Sequence, residues 1–389
     1  MTVSARARAV PTAVAPNGTT GRILGEIADR AAAADRGECD LSGDVAALRE
    51  AGILTAMLPP AFGGSDLGMT AETAQSAVTL LRRLGRANLS VGRIVEGHMN
   101  AIKLIRLYGS REQQERAFSA ALAGSLFGVW GADAARPVEL LSGIDPDAPG
   151  SRPWRLSGSK RFASGLGLVD RALVTVRLAD AAPQLCLLEV TDRRRMDHST
   201  WRTSGMRATG SGDYCFDGVA VTAGQRIGAP GDLLREPHFE GGVWRYAALH
   251  VGGIEAIAEA VRQAIRARGQ TGDPQQLARM AQLAEFCGTG RLWVESAARR
   301  VEAAGPRAGD VDDAVAHALL AREAVERAAL ACMAVADRAL GAASFFEGHP
   351  VERLRRDLAF FLRQANLDGK RDAAARTVAL GDRAIGELW

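Results

Sequence analysis

Residues 349–357 read HPVERLRRD, and this run decides how the rest of the chain is interpreted. It opens a stretch of helical pattern that extends from Pro350 to about Arg363, and it ends on the carboxylate of Asp357. Eight residues further on stands Ala365, whose methyl side chain cannot accept a proton. The segment therefore predicts a helix and, soon after it, a position without acid–base chemistry.

Three more long helical segments lie upstream of this one. Apolar residues recur at helical spacing over 243–268, 274–304 and 311–340. Pro274 stands near one helix start and Gly269 follows one helix end, which are the positions where these residues are best tolerated. Four long antiparallel helices predict a bundle in the C-terminal part of the chain.

The N-terminal part is also helical in pattern, from about Gly21 to Ala123. Between the two helical regions, residues 126–227 contain short β-type runs separated by clusters of Gly, Pro and Asp. The sequence therefore predicts an α+β fold. Its expected parts are a mobile tail at 1–20, an N-terminal all-α domain at 21–125, a middle β-barrel or sandwich domain at 126–235 and a C-terminal four-helix bundle at 236–389.

Composition argues against several classes of protein. Of the 389 residues, 47% are apolar and 24% are charged, and the net charge is only +3, so the chain can bury a large core and offers no polyelectrolyte surface to nucleic acid. The scattered cysteines form no CxxC pair and are expected to be reduced thiols. No apolar run approaches the roughly 20 residues of a membrane span, and no metal-ligand spacing is present. We therefore expect a soluble, cytoplasmic protein without metal, membrane or nucleic acid as a partner.

Four stretches of the chain carry a family resemblance. They read YGSREQQ at 108–114, GSKRFASG at 158–165, WRTSGMRATGSG at 201–212 and PVERLRRD at 350–357. In this order and at these separations they resemble the acyl-CoA dehydrogenase superfamily of flavoproteins, over nearly the whole chain after residue 20. The resemblance implies the three-domain fold given above and a bound flavin, with FAD as the expected cofactor and FMN as the alternative.

A flavin ring is a planar acceptor that needs an apolar or aromatic wall and hydrogen bonds near its N5 and O4 atoms. In the family an aromatic-x-Ser/Thr triplet supplies both, and the resemblance gives these roles to Phe162 and Ser164. The segment before the barrel departs from the family pattern, and there Trp130 or Asp133 is the residue expected beside the ring. The ordinary alternative for the triplet is a core phenylalanine and a turn serine.

The resemblance also implies a site for phosphate and adenine in the bundle. The family uses an arginine near the end of the first long helix, a glutamine and a Gly-rich turn, partly across a subunit boundary. Arg266 or Arg268 fits the first position, Arg338 stands where the glutamine is expected, and Gly341 begins the altered turn. Such contacts imply a homodimer or homotetramer.

Dehydrogenation of an acyl thioester needs a carboxylate that removes a proton. The resemblance puts the two family positions for this base at Ala365 and Trp244, and neither residue is a base. Glu240 and Asp368 are the nearby carboxylates that could be recruited as the catalytic base. The first interpretation is therefore a flavin-dependent oxidoreductase that oxidises an acyl thioester or another small organic substrate in a non-standard way, with an electron-transfer partner.

Two alternatives use the same fold. Flavin-dependent monooxygenases of this superfamily lack the glutamate, take reduced flavin from a separate reductase and have a histidine on an inward-facing helix of the first domain. His98 is the candidate here, because it shares a helical face with Ile94 and Ile102 and because imidazole titrates near neutral pH. A core histidine bonded to a backbone carbonyl is its ordinary alternative. The last alternative is a relative that has lost catalysis and serves as a flavin-binding or scaffold protein.

Overall fold

The computed structural model describes residues 18–141, 154–179, 181–305, 307–363 and 366–389, so Ala365 and residues 1–17 of the predicted tail lie outside the described residues. The first helix already begins at Thr19, inside the predicted tail, since Thr20 and Ile23 are buried. The N-terminal region is helical, as expected. Its helices are α1 (Thr19–Asp35), α2 (Ser42–Glu50), α3 (Ala71–Ala87), α4 (Leu89–Tyr108) and α5 (Arg111–Leu122).

The stretch YGSREQQ starts α5 and ties it to the next domain. Ser110 and Gln113 form a capping box, in which each side chain accepts a hydrogen bond from the other residue's backbone N–H. The Gln113 amide also donates to the carbonyl oxygens of Gly224 and Arg226, at 3.1 and 2.7 Å. This motif therefore both begins a helix and holds the first domain against the β domain.

The middle region consists of short strands arranged in two sheets. The strands are β1 (Phe127–Trp130), β2 (Glu139–Leu141), β3 (Trp154–Ser157), β4 (Ser159–Lys160), β5 (Arg171–Leu178), β6 (Ala181–Glu189), β7 (Met196–Asp197), β8 (Asp213–Cys215), β9 (Ala220–Val221) and β10 (Arg226–Ile227). The larger sheet has the order β10-β6-β5-β2-β3-β9, with β1 parallel to β5, and the smaller sheet has the order β4-β8-β7.

The C-terminal region contains the four helices predicted from sequence, followed by one more. Asp273 caps the second of them by accepting from the Gln276 N–H at 2.9 Å, with Pro274 in the first turn as expected. This order of helices, sheets and helices confirms the predicted α+β fold. The C-terminal helices are α6 (Trp244–Ala267), α7 (Pro274–Ala303), α8 (Ala308–Leu340), α9 (Pro350–Phe361) and α10 (Leu367–Leu380).

The helices α3 and α6 cross with their backbones in contact. A Cβ atom placed on Gly85 would lie 2.3 Å from the Leu249 carbonyl oxygen, and one placed on Gly252 would lie 2.2 Å from the Arg82 carbonyl oxygen. Only glycine fits at such a crossing without moving a backbone. The crossing fixes α6, the first helix of the bundle, against the N-terminal domain.

The run HPVERLRRD joins all three domains. Asp357 is 3% exposed and accepts a hydrogen bond from the backbone N–H of Met206 in the β domain, at 2.7 Å. Arg356 pairs with Asp35 of α1 at 2.7 Å and donates to the Ser204 carbonyl oxygen at 2.6 Å. Arg355 pairs with Asp337 of α8. Arg356 and Asp357 therefore make contacts between domains, and Arg355 holds α9 to α8 within the bundle, which explains why the run is informative about the fold.

The helix α8 is long and apolar. By length and composition alone, the segment Gly309–Phe345 would pass as a membrane span, with a hydropathy of 1.3 over its most apolar window. This differs from the expectation that no segment is long and apolar enough to span a membrane. The sign is weak, because a core helix of a globular protein passes the same test, and α8 packs against α6, α7 and α10.

Candidate functional site

A cleft lies where the β domain meets α4 and the end of α9. It encloses about 270 Å³. We call it the aromatic cleft. Its lining combines aromatic rings, hydroxyl groups and two arginines: Phe162, Trp201, Phe360, Phe361, Met206, Ser164, Thr209, Ser211, Arg93 and Arg363.

The aromatic wall of this cleft is held by edge-to-face contacts. The ring centroids of Trp201 lie 6.1 Å from Phe162 and 5.6 Å from Phe360, with interplanar angles of 72° and 88°. The indole N–H of Trp201 donates to the Met206 carbonyl oxygen at 3.2 Å. Phe162 is 49% exposed and has a φ of 55°, in the left-handed region that few non-glycine residues occupy. The structure thus holds a large aromatic side chain open to the cleft on a strained backbone.

The hydroxyl groups of the cleft differ in how fully they are bonded. Thr209 donates to the Met206 carbonyl oxygen at 2.8 Å, and its oxygen also lies 2.8 Å from the Ser211 hydroxyl. Among the residues that the structure describes, the Ser164 hydroxyl makes a single long contact, of 3.4 Å, with the Phe162 carbonyl oxygen. Ser164 is therefore the hydroxyl with capacity left for a ligand.

Two residues expected beside the ring lie behind the cleft. Trp130 is 2% exposed, and its indole N–H donates to the Ser164 carbonyl oxygen at 3.2 Å. Asp133 pairs with Lys160 at 2.5 Å and with Arg177 at 3.1 Å. Trp130 supports the backbone of Ser164, and Asp133 is occupied by ion pairs, so neither lines the aromatic cleft.

His98 is buried in the protein core. Its Nδ1 atom accepts a hydrogen bond from the Phe127 N–H at 3.1 Å, so the proton is on Nε2, which faces the Leu54 carbonyl oxygen at 3.3 Å. Burial lowers the pKa of His98 to about 4. With both ring nitrogens bonded to backbone, His98 fastens β1 to α4. This geometry favours the ordinary alternative for His98 and does not support its predicted catalytic role.

The two candidate carboxylate bases also lie away from the aromatic cleft. Glu240 pairs with Lys370 at 2.7 Å. The side chain of Asp368 is 91% exposed and pairs with Arg371 on the surface of α10. Trp244 is fully buried beside the Arg245 guanidinium, 4.5 Å from its ring centroid. The geometry therefore gives no support to either carboxylate as a base in the cleft.

The predicted phosphate and adenine residues lie outside the aromatic cleft. Arg266, Arg268 and Arg338 are exposed, and no salt bridge to them is found among the described residues. Gly341 has a φ of 67° and begins a short 3₁₀ turn after α8. Their role in binding a dinucleotide stays a prediction.

Sequence reasoning missed several residues of the cleft. Thr209 and Ser211 belong to the quoted stretch WRTSGMRATGSG, but they carried no assigned role. Phe360 and Phe361 end α9, where the pattern indicated only a helix. Nothing in the sequence marks Arg363 as a cleft residue, because its position follows from where α9 ends. Across the residues that the structure covers, no three His, Cys, Asp or Glu side chains group as metal ligands.

Comparisons with known proteins agree with this fold. Residues 23–125 match the acyl-CoA dehydrogenase N-terminal domain. Dibenzothiophene monooxygenase from Rhodococcus qingshengii is 27% identical over 191 residues, which cover 47% of this chain and 44% of that protein. The probable FMNH2-dependent monooxygenase SfnC from Pseudomonas putida is 24% identical over 71% of this chain and 69% of its own length.

A solved structure extends the likeness to the whole fold. FMN-bound TdsC from Paenibacillus sp. A11-2 superposes with a TM-score of 0.79 at 19% identity, covering 92% of this chain and 95% of that one. The matches to the dibenzothiophene monooxygenases span less than half of those relatives' length. Residues 23–125 therefore match the acyl-CoA dehydrogenase N-terminal domain, in agreement with the resemblance seen in the sequence, and the chain as a whole shares the fold of TdsC.

Proposed function

We propose that the chain is a flavin-dependent monooxygenase that binds reduced FMN in the aromatic cleft and receives it from a separate reductase. The observation that carries this proposal is the chemistry of the cleft lining. It offers an open aromatic wall and an under-used hydroxyl, but no carboxylate among the described residues. Such a lining holds a planar ring and lacks the base that dehydrogenation of a thioester requires.

The residues of the cleft fit a flavin. Phe162 and Trp201 supply the apolar wall, and the Ser164 hydroxyl has capacity for a polar edge of the ring. Arg93 and Arg363 also line this cleft. Each is already paired with a carboxylate, Glu96 and Glu326 respectively, but a guanidinium group has further N–H donors that suit a phosphate. When bound, reduced FMN would supply the chemistry with oxygen. The protein's own residues would position the ring and the substrate and exclude water.

The similarity to two monooxygenases and to an FMN-bound structure supports this proposal over the first interpretation. Oxidation of an acyl thioester would need a base, and Glu240 and Asp368 lie elsewhere. FMN is preferred to FAD because the exposed Arg266, Arg268 and Arg338 are separate from the cleft and FMN has no adenine for them to hold. A homodimer or homotetramer remains the expected assembly.

The first test is flavin binding. Reduced FMN and FAD are titrated anaerobically into the purified protein, and binding is followed by absorbance. We expect FMN to bind and Phe162→Ala to weaken its binding about fivefold, since an aromatic contact is worth about 1 kcal/mol. Phe346→Ala is the matched control, because Phe346 is 70% exposed and does not line the cleft. Equal loss in both variants would contradict the assignment of the cleft.

The second test is oxygen transfer. The protein is supplied with reduced FMN and ¹⁸O₂, and dibenzothiophene, indole and methanesulfinate are analysed by mass spectrometry. We expect one labelled oxygen atom in a product that forms only with reduced flavin and oxygen. Bleaching of oxidised flavin by an acyl-CoA without oxygen would instead support dehydrogenation. Absence of flavin binding would favour the scaffold alternative.

A further inference from the structure

A second, smaller cavity lies further along α4 than the aromatic cleft, because Arg93 lines the cleft, whereas Asn100 and Leu104 line the second cavity. It encloses about 170 Å³, and we call it the polar pocket. An ion pair separates the two sites, because Arg93 lines the cleft and its partner Glu96 lines the pocket. The polar residues of the pocket are Glu96, Asn100, Lys103, His238, Arg245 and Tyr246.

A row of rings also connects the two sites. Tyr246 of the polar pocket lies 5.4 Å from the His250 ring, and His250 lies 4.6 Å from the Phe361 ring, which lines the aromatic cleft. The polar pocket is thus only a few side chains from the proposed flavin site. A small substrate group held in the pocket would lie near the reacting ring.

Two cations face the polar pocket and share one counter-ion. Lys103 and Arg245 bind the two oxygens of Glu302, at 2.6 and 2.7 Å, and the Glu302 side chain is 0% exposed. Lys103 and Arg245 line the pocket, whereas Glu302 lies behind them. The cluster therefore carries one net positive charge on the pocket side, which is costly to bury without a further anion.

The acidic residue of the pocket does not balance this charge. Glu96 is already bonded through both of its oxygens, by Arg93 and by the Asn100 amide. Its charge is thus directed at the Arg93 guanidinium on the cleft side. The excess positive charge of Lys103 and Arg245 remains available to a ligand.

Three polar atoms of residues that line this pocket lack a partner within the described part of the chain. They are the Nε of Arg245, the hydroxyl of Tyr246 and the Nδ1 of His238, and Arg245 is only 1% exposed. Buried polar groups in native proteins are nearly always hydrogen-bonded. Their concentration beside two cations indicates that a ligand completes the site.

We propose that the polar pocket binds the carboxylate or sulfinate group of a small organic acid and thereby selects the substrate. The proposal rests on the proposed function and names the substrate class of that site. The forked donors of Arg245 match the two oxygens of such an anion. The hydroxyl of Tyr246 and the ring of His238 supply further hydrogen bonds. Apolar residues of the pocket, such as Leu104 and Val129, suit a short carbon chain.

The protonation state of His238 agrees with this role. Burial, followed by the positive charge of Lys103, lowers its pKa to about 4. The ring is therefore neutral near pH 7 and can donate one N–H to an anion. His238 adds a hydrogen bond without adding charge.

The proposal is tested on the whole protein without flavin, by calorimetric titration with propionate and ethanesulfinate. Propionamide and ethyl methyl sulfone are the neutral probes of similar shape. We expect the acids to bind at least tenfold more tightly than the neutral probes. Equal binding of acids and neutral probes, or no binding of either acid, would overturn the proposal. A preference between the two acids identifies the anion.

Variants locate the binding. Tyr246→Phe and Arg245→Lys should each weaken the preferred acid about tenfold, because the first removes only an unpartnered hydroxyl and the second keeps the charge that Glu302 needs. Tyr108→Phe, which lies outside the pocket, is the matched control. Unchanged affinity in both pocket variants would place the acid elsewhere and overturn the proposal. FMN affinity is measured on the same proteins, so failure of the flavin assignment is seen separately.

Discussion

The aromatic cleft and the polar pocket are neighbours with opposite chemistry. The cleft is open and is lined by aromatic rings. The indole N–H of Trp201 and the hydroxyl of Thr209 in this lining are both bonded to the backbone carbonyl oxygen of Met206. The pocket is smaller, its two cations share the buried carboxylate of Glu302, and three polar atoms of its lining residues have no described partner. A planar ring suits the first site and a small anion suits the second.

Under the proposed function, the aromatic cleft would hold the cofactor and the polar pocket would select the substrate. The chain has an acyl-CoA dehydrogenase-like fold, and the aromatic cleft is the place that the proposed function gives to the flavin ring. Its selectivity then depends on the residues that replace an acyl-chain environment. In this chain, Lys103, Arg245 and Tyr246 are the residues that would change the preferred substrate. The following variants and conditions break one site while sparing the other.

The largest effect is expected from Glu302→Leu, which breaks the polar pocket. It leaves Lys103 and Arg245 buried without their counter-ion and should lower the free energy of unfolding by about 3 to 5 kcal/mol. Urea unfolding measures this. Glu347→Leu, at an exposed position, should change stability by less than about 0.5 kcal/mol. A loss below about 1 kcal/mol for Glu302→Leu would mean that the cations do not depend on this carboxylate.

A smaller effect is expected from Asp357→Ala, which loosens the cleft side. The change leaves the Met206 N–H without its acceptor and Arg353 without its ion-pair partner, and should cost about 2 to 3 kcal/mol of stability. Because Met206 lines the aromatic cleft, FMN affinity should fall as well. Asp368→Ala is the surface control for stability. Preserved FMN affinity in a destabilised Asp357→Ala protein would separate the cleft from this contact.

The smallest effect is expected on acidification, and it concerns His98 and His250. The ring of His250 lies between the aromatic cleft and the polar pocket. Burial lowers the pKa of His98 to about 4 and that of His250 to about 3, whereas both are near 6.5 when unfolded. The unfolded chain therefore binds protons first, and stability is lost as the pH falls below 6.5. Each histidine should remove about 2 kcal/mol between pH 7 and pH 5.

Urea unfolding of the parent and of His98→Asn at pH 7 and pH 5 isolates the contribution of His98 to this loss of stability. The variant should lose about 2 kcal/mol less than the parent on acidification. An identical loss in the two proteins would mean that His98 is not held neutral. The same comparison with His250→Asn tests whether His250, between the two sites, is also held neutral.

Much of the fold was predictable because long helices repeat their pattern many times. The four bundle helices begin and end within a few residues of the predicted bounds, and the punctuation at Pro274 is confirmed. The helix α10 escaped prediction, since its residues are mostly exposed and show little apolar periodicity. The two sheets were predictable as a β region. The pairing of their strands was not, because it depends on contacts between residues distant in sequence.

The candidate site was predictable only where residues close in sequence also lie together in the cleft. Phe162 and Ser164 both line the aromatic cleft, because residues two positions apart in the chain lie close together in space. For His98, periodicity correctly indicated an inward face but could not reveal that Phe127 and Leu54 occupy both nitrogens. The pairing of Lys103 and Arg245 through Glu302 joins three distant segments, and no local pattern announces it.

The run HPVERLRRD has a thermodynamic consequence. Its side chains bond to α1 of the N-terminal domain and to the β-domain loop at Met206, so neither domain can separate from the bundle without breaking contacts to charged side chains of one short helix. Unfolding is therefore expected to be a single cooperative transition instead of three. A ligand that binds at the junction would raise the melting temperature of every domain together.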